Sequence, residues 1–200
     1  NDIPVVHVST DFVFHGTGTR PYREDDPCSP RGVYATSKRA GEEAVEESGA
    51  QWLIVRTSWL YGLHGKNFPD TILSLARERD ELKVVDDQVG SPTYAPHLAH
   101  ALWNLIALHV HFSDSGECSW YTFACKTLSI AQEEGLFPAE KEVLIHPVSS
   151  DEFPRPAPRP AYSVMDTSKY TKLVQHPPPR WQQGLREFIR DTIKSGATRH

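Results

Sequence analysis

Tyr34 and Lys38 stand four residues apart in Tyr34-Ala35-Thr36-Ser37-Lys38, which puts a phenol and an ammonium one turn apart on one helix face. A positive charge beside a phenol favours its ionised form and draws its pKa down from about 10, so such a phenol can protonate a developing alkoxide. Upstream, Ser9-Thr10-Asp11 closes the apolar run Val5-Val6-His7-Val8, which has the β-branched character of a strand buried on both faces. Ligands of open α/β sheets bind outside the carboxyl ends of strands, so a hydroxyl of this triplet can hydrogen-bond a substrate carbonyl beside the tyrosine. Plainer roles stay open: Tyr34 and Lys38 as an ordinary helix surface, Thr10 and Asp11 as shapers of a loop.

The elements that must position these groups follow from periodicity and breakers. After the Gly- and Pro-bearing loop 9–32, a helix is expected from Val33 to about Ser48, stopped by Gly49, and then a strand over Trp52–Thr57. Strand, helix, strand is a parallel α/β unit. The alternation continues with a helix over 68–79, a strand at 82–85, a loop at 86–94 and an amphipathic helix from Pro96 to Leu108. That helix runs into the strand-like His109-Val110-His111-Phe112 with no Gly, Asn or Pro between, so the junction reads as a shortened loop or one with residues missing. Ser119 caps a helix from Trp120 to Glu134, closed by Gly135; Val143-Leu144-Ile145 is a strand, and Trp181–Ile193 a final helix. Between them, Phe153–Tyr162 carries four prolines and must be extended, with Arg155 and Arg159 on its stiff backbone. Pro177-Pro178-Pro179 reads as a rigid connector.

Composition narrows the classes. A chain of 200 residues with 38% hydrophobic content builds a packed core, and its net charge of −5 lacks the positive field a nucleic-acid binder needs. No apolar stretch approaches the roughly 20 residues that span a bilayer, so no membrane partner is expected. Three cysteines, Cys28, Cys118 and Cys125, without a Cys-x-x-Cys spacing, fit a reducing cytoplasm better than a disulfide framework or a zinc site. His97-x-x-His100 and His109-x-His111 lack a completing carboxylate or thiol and read as packing or surface histidines, leaving no metal site, and Glu42-Glu43 with Glu46-Glu47 reads as a solvated helix face.

Several strings occur together in a telling order: Val8-Ser9-Thr10-Asp11-Phe12-Val13-Phe14, Pro21-Tyr22-Arg23-Glu24, Tyr34-Ala35-Thr36-Ser37-Lys38 and Gly41-Glu42. They are followed by Arg56-Thr57-Ser58-Trp59-Leu60-Tyr61-Gly62, Gly65-Lys66-Asn67-Phe68, Asp86-Asp87-Gln88, Gly90-Ser91-Pro92-Thr93, and Arg159-Pro160 with Ser163 and Asp166. From residue 3 to about 193 the chain thereby resembles the extended short-chain dehydrogenase/reductase family of nucleotide-sugar enzymes, and within it the dTDP-4-dehydrorhamnose reductases. The resemblance implies the C-terminal portion of a Rossmann-like doubly wound parallel sheet (1–94, with the Tyr/Lys pair) and a small α/β substrate-binding lobe (95–200), the two parts interleaving. It implies hydride transfer from NADPH or NADH to the C4 keto group of a dTDP-sugar, dTDP-4-dehydro-L-rhamnose. Tyr34 would be the general acid, Lys38 would hold the nicotinamide ribose, and Thr10 would hydrogen-bond the C4 carbonyl. Ser9, Tyr34 and Lys38 would touch the cofactor. Asp11, Trp59, Asn67, Gln88, Thr93 and Arg159 would line the substrate cleft, Trp59 against the deoxyhexose and Arg159 at the diphosphate, with Arg155 a nearby decoy. Magnesium and a homodimer are carried from some relatives by analogy alone.

The resemblance also has gaps. The family opens on a strand, a glycine-rich turn and a helix that receives the cofactor pyrophosphate. Gly16-Thr17-Gly18 supplies two such glycines, but Pro21 holds the third position and no helix follows. The chain therefore resembles the C-terminal two thirds of such an enzyme, with Val5–Val8 left as a sheet edge, and is expected to bind little NADH or NADPH by itself. Two competing readings remain: another nucleotide-sugar epimerase or dehydratase, the latter disfavoured because Asp11 has no adjacent Glu, and a non-catalytic relative such as the regulatory subunit of methionine adenosyltransferase.

Overall fold

The computed structural model describes residues 4–103, 105, 109–155, 157 and 159–196. Its centre is a parallel sheet of β1 (Val5–Thr10), β2 (Trp52–Thr57) and β7 (His109–His111), ordered β1-β2-β7. The register runs from Val5 opposite Trp52 to Thr10 opposite Thr57, and Val55 faces Val110. Helix α1 (Val33–Glu47) is the crossover between β1 and β2, as the sequence pattern requires of parallel neighbours. Among the described residues β1 pairs with β2 alone, and Val5, Val6 and Val8 are 38%, 51% and 37% exposed, so it is an apolar edge strand as expected.

The remaining elements are β3 (Leu60–Tyr61), α2 (Phe68–Glu78), β4 (Glu81–Val85), β5 (Val89–Gly90), β6 (Thr93–Tyr94), α3 (Ala95–Trp103), β8 (Cys118–Ser119), α4 (Trp120–Glu133), β9 (Leu144–Val148), α5 (Ser168–Val174) and α6 (Trp181–Lys194). Parallel pairs β3-β6 and β4-β9 and the antiparallel pair β5-β8 form three small sheets. Ser119 caps α4 as expected, its hydroxyl accepting from the Thr122 N–H at 3.1 Å. Two expectations need correction. The segment 86–94, expected as loop, holds β5 and β6: Val89 of β5 exchanges backbone hydrogen bonds with Ala161 and Ser163 at 2.8 and 2.9 Å, and β6 pairs with β3. The short helix α5 went unexpected; it exists because Tyr170 packs edge-on against Phe112 at 4.9 Å and so buries its one large apolar ring. The helix α3 ends at Trp103, and the expected continuation over 106–108, with its junction, lies outside the described residues.

Packing cuts across residue 94. One cluster joins Tyr61, Ile72, Leu82 and Tyr94 to Phe123, Ile145, Leu185 and Phe188, so α2, α4 and α6 share a core. A second joins Leu53 and Val55 of β2 to Leu98, Val110, Phe112 and Tyr170. Each fully buried aromatic such as Phe123 or Phe188 contributes about 1.5–3 kcal/mol through its apolar area. The first cluster supports the far wall of the site and the second supports its sheet.

Candidate active site

At the carboxyl end of β1 the chain turns into a one-turn 3₁₀ helix, Asp11–Val13, and at the carboxyl end of β2 it turns sharply through Ser58 and Trp59. Between these turns, the first turns of α1 and the Pro-rich segment lies a cleft of about 710 Å³, lined by Ser9, Thr10, Asp11, Tyr34, Lys38, Trp59, Gln88, Trp120, Arg155, Arg159 and Ser163. Thr10 caps the 3₁₀ turn: its Oγ1 accepts from the Phe12 N–H at 3.3 Å and donates to Asp11 Oδ1 at 2.9 Å. Asp11 is buried, its Oδ2 makes no hydrogen bond of normal geometry, and burial pushes its pKa up to about 6 against the pull of the Ser163 and Thr10 hydroxyls.

Tyr34 sits in the first turn of α1 with 57% of its surface exposed, its ring edge-on to Phe12 at 5.9 Å. One turn on, the Lys38 ammonium donates to the Val8 carbonyl at 2.6 Å, which ties α1 to the end of β1. Ser9 borders the cleft but points its hydroxyl toward Glu42, beneath α1. Glu42 corrects the reading of a solvated acidic face. Its side chain is fully buried and takes hydrogen bonds from Arg56 Nε and Nη2 at 2.9 and 2.8 Å and from Arg39 Nη1 at 2.9 Å. Burial opposes its charge, yet the Arg56 hydrogen bonds prevail and hold it down at about 2. Only Glu43, Glu46 and Glu47 of that run lie toward solvent.

Trp59 adopts φ +46°, a left-handed conformation that costs a non-glycine residue about 1–2 kcal/mol. Two contacts hold it there. Trp120 of α4 stacks on it face to face at 3.5 Å with 4° between planes, and a Cβ at Gly90 would come within 2.5 Å of its Cε2, so glycine alone lets the indole lie flat on β5. Trp120 lies outside the motif strings; the signal that finds it is the helix cap at Ser119, which places the next side chain at the sheet end. Arg159 and Arg155 both reach the cleft. Burial and then the neighbouring Arg155 charge depress Arg159, and among the described residues neither arginine makes an ion pair. Gly16, at φ +80°, fixes this segment: a Cβ there would lie 2.4 Å from Pro160 Cβ, and the Gly16 carbonyl accepts from the Tyr162 N–H at 3.0 Å. The Gly16-Thr17-Gly18 string is thus a seat for the arginine-bearing loop.

Asn67 and Thr93 lie away from the cleft. The Asn67 side chain caps α2, accepting from the Asp70 N–H at 3.0 Å and donating to the Gly62 carbonyl at 2.9 Å, so its polar atoms are spent on the helix start. Thr93 is fully buried between β3 and β6, 3.4 Å from the Thr57 hydroxyl. Gln88 lines the cleft, positioned by Asp87, which accepts from the Ser150 N–H and hydroxyl, and by Asp86, which accepts from Ser119. His97 is bracketed by Asp114 and Glu187 at 2.9 and 2.8 Å, a packing role.

The family described as the RmlD substrate binding domain matches residues 1–193. The chain belongs to that family. The spore coat polysaccharide biosynthesis protein SpsK of Bacillus subtilis is 44% identical over 189 residues, covering 93% of this chain and 64% of that protein. The dTDP-4-dehydrorhamnose reductase of Escherichia coli is 36% identical over 202 residues, covering 96% of this chain and 67% of that enzyme. A crystal structure of dTDP-4-dehydrorhamnose reductase from Bacillus anthracis in complex with NADP superposes with a TM-score of 0.85 at 39% identity, covering 94% of this chain and 65% of that one. This RmlD-family chain therefore spans about two thirds of the length of the relatives it matches, and its α/β fold with parallel strands is theirs. No helix among the described residues is long and apolar enough to cross a membrane.

Proposed function

We propose that the chain forms the catalytic and substrate-binding part of an NAD(P)H-dependent reductase that converts the C4 keto group of dTDP-4-dehydro-L-rhamnose to the hydroxyl of dTDP-L-rhamnose. The observation that carries this reading is the meeting of Thr10, Tyr34 and Lys38 in one cleft at the strand ends with Arg155 and Arg159, which make no ion pair among the described residues. Tyr34 and Lys38 stand at the open mouth beside the exposed edge of β1, where the nicotinamide ribose would sit, and the Lys38 ammonium, which gives one donor to the Val8 carbonyl, would hold that ribose with another. A reduced nicotinamide, when bound, supplies the hydride. The chain's own residues orient the sugar and move the proton: the Tyr34 O–H gives its proton to the C4 oxygen, Lys38 offsets the charge left on the phenol, and the Thr10 hydroxyl donates a hydrogen bond to the same oxygen. Trp59 presents a flat apolar face to the deoxyhexose, Gln88 and Asp11 edge the sugar pocket, and Arg159 with Arg155 holds the diphosphate.

The cytoplasm and a homodimer complete the proposal on the resemblance, and no step of it calls for magnesium. Tyr34→Phe in the full-length polypeptide is the test, because it removes the proton donor and spares the ring. Turnover of dTDP-4-dehydro-L-rhamnose with reduced cofactor should fall about 10² to 10⁴-fold. A variant within about threefold of the unmodified enzyme overturns the assignment, the general-acid step being worth far more than that.

A further inference from the structure

Thr10 has one hydroxyl proton and two lone pairs. In the structure the Phe12 N–H occupies one lone pair at 3.3 Å, and the proton goes to Asp11 Oδ1 at 2.9 Å. A substrate carbonyl needs a donor, and a Thr10 whose proton is committed to an ionised Asp11 offers the cleft only a lone pair. The conflict disappears when Asp11 carries a proton. A neutral carboxyl donates to the second lone pair of Thr10, and the Thr10 proton is then free to turn toward the cleft.

We propose that Asp11 is a positioning residue that acts as a neutral acid, donating to Thr10 Oγ1 so that the Thr10 hydroxyl donates to the substrate's carbonyl oxygen. This rests on the reductase reading and adds to Asp11's place at the edge of the sugar pocket a task through Thr10. No proton changes hands along the pair; the reduced oxygen still receives its proton from Tyr34.

The site is built to hold that proton. Asp11 is 2% exposed, and Oδ2 makes no hydrogen bond of normal geometry. From β1 it is faced by Thr10, from the Pro-rich side by the Ser163 hydroxyl, and from its own turn by backbone N–H groups. The cations that share the cleft are Lys38 from α1 and Arg155 and Arg159 from the Pro-rich segment; Lys38 is turned to the Val8 carbonyl. Burial already pushes Asp11 up to about 6. A bound diphosphate adds negative charge and excludes water from the cleft, and both effects favour the neutral carboxyl further.

The test compares Asp11→Ala, Asp11→Asn and Thr10→Val with Tyr34→Phe in the full-length enzyme, each checked for folding by circular dichroism. Thr10→Val should lower kcat about 10² to 10³-fold, as loss of an oxyanion donor does. Asp11→Ala should lower kcat at least about tenfold with little change in KM, and Asp11→Asn, whose amide N–H donates to Oγ1 at every pH, should recover most of that loss. In the unmodified enzyme kcat should fall as pH rises through the Asp11 value of the complex, and this limb should vanish in Asp11→Asn. Independently of turnover, infrared spectra of the dTDP-bound protein carrying ¹³C-labelled aspartate should show a protonated-carboxyl band that Asp11→Asn abolishes. An Asp11→Asn enzyme as slow as Asp11→Ala, an unchanged pH limb, or no such band overturns the proposal. Should Asp11→Ala fail to fold, the pH limb and the band decide it. Tyr34→Phe separates the two claims: full turnover there removes the reductase reading, whereas an inactive Tyr34→Phe beside an unchanged pH limb removes only the role of Asp11.

Discussion

Glu42→Gln probes the joint that holds the candidate active site in register. Glu42 lies one turn beyond Lys38 on α1, and Arg56 is the penultimate residue of β2, so their pair clamps the helix carrying Tyr34 to the sheet carrying Thr10. Both side chains are sealed from solvent, at 0% and 2% exposure. Glu42 is held at about 2, roughly 2.5 below the ordinary 4.5 of a glutamate. At 1.36 kcal/mol per unit this is about 3 kcal/mol, at the lower end of the roughly 3–5 kcal/mol measured when one member of a buried pair is removed.

The carboxylate's value is depressed in the folded state, so its stabilisation is fully present above about 4.5 and is lost as pH falls toward about 2. Urea unfolding at pH 7 should show Glu42→Gln less stable by about 3 kcal/mol, since Arg56 then keeps its charge without a counter-charge. Between pH 5 and pH 2.5 the unmodified protein should lose stability more steeply than the variant. Glu42→Leu combined with Arg56→Met should cost less than either change alone, because an apolar pair leaves no buried charge behind. A Glu42→Gln loss below about 1 kcal/mol at pH 7, or parallel acid limbs, refutes the reasoning, since a solvated pair would behave that way.

Arg159→Ala and Arg155→Ala should each weaken dTDP binding by about 1.5–3 kcal/mol in calorimetry, the range for a hydrogen bond to a charged group; a loss confined to Arg159 would restore Arg155 to the role of bystander. Gly90→Ala should push the Trp59 indole off Trp120, since the new Cβ would sit 2.5 Å from Trp59 Cε2. Near-ultraviolet circular dichroism should lose the coupled-indole signal and stability should fall by about 1–3 kcal/mol, the usual cost of overpacking; an unaltered spectrum would show that the stack is not what requires glycine there.

The central elements were legible because their signals are local. The apolar run before Ser9, the Gly49 stop and the Ser119 cap each act within a turn of the residues they specify, and β1, α1, β2 and α4 follow. Two-residue strands such as β5 and β6 carry no period; Val89 of β5 draws its hydrogen bonds from the Pro-rich segment, some seventy residues on, and β6 forms by pairing with β3. Glu42 misled for a related reason. An acidic run on a helix reads as a solvated face, and only Arg56, 14 residues away across the crossover, turns one member inward. Trp59 and Thr93 lie in two separate recognised strings, and the turn after β2 sends one to the cleft while the pairing of β6 with β3 buries the other.

Hydrogen-bond accounting then separates scaffold from site more sharply than the motifs do. Asn67, Asp86 and Asp87 fall within the recognised strings, but the Asn67 amide is given to a helix cap and one carboxylate oxygen each of Asp86 and Asp87 accepts from Ser119 and from Ser150. Breaking such a scaffold bond to serve a ligand costs about 1–3 kcal/mol for each partner left unpaired. Arg155 and Arg159 line the cleft without an ion pair among the described residues, and Asp11 keeps one oxygen outside any regular hydrogen bond. Left alone, the buried Asp11 oxygen would be a cost to folding, because buried polar groups without partners are selected against, whereas Arg155 and Arg159 are exposed and solvated by water until an anion displaces it. Their convergence at the end of β1, where Tyr34 and Lys38 also arrive, is what a diphosphate and a carbonyl oxygen would satisfy together. A second copy of the same strings whose arginines were paired and whose Asp11 was fully bonded would have the motif without the chemistry.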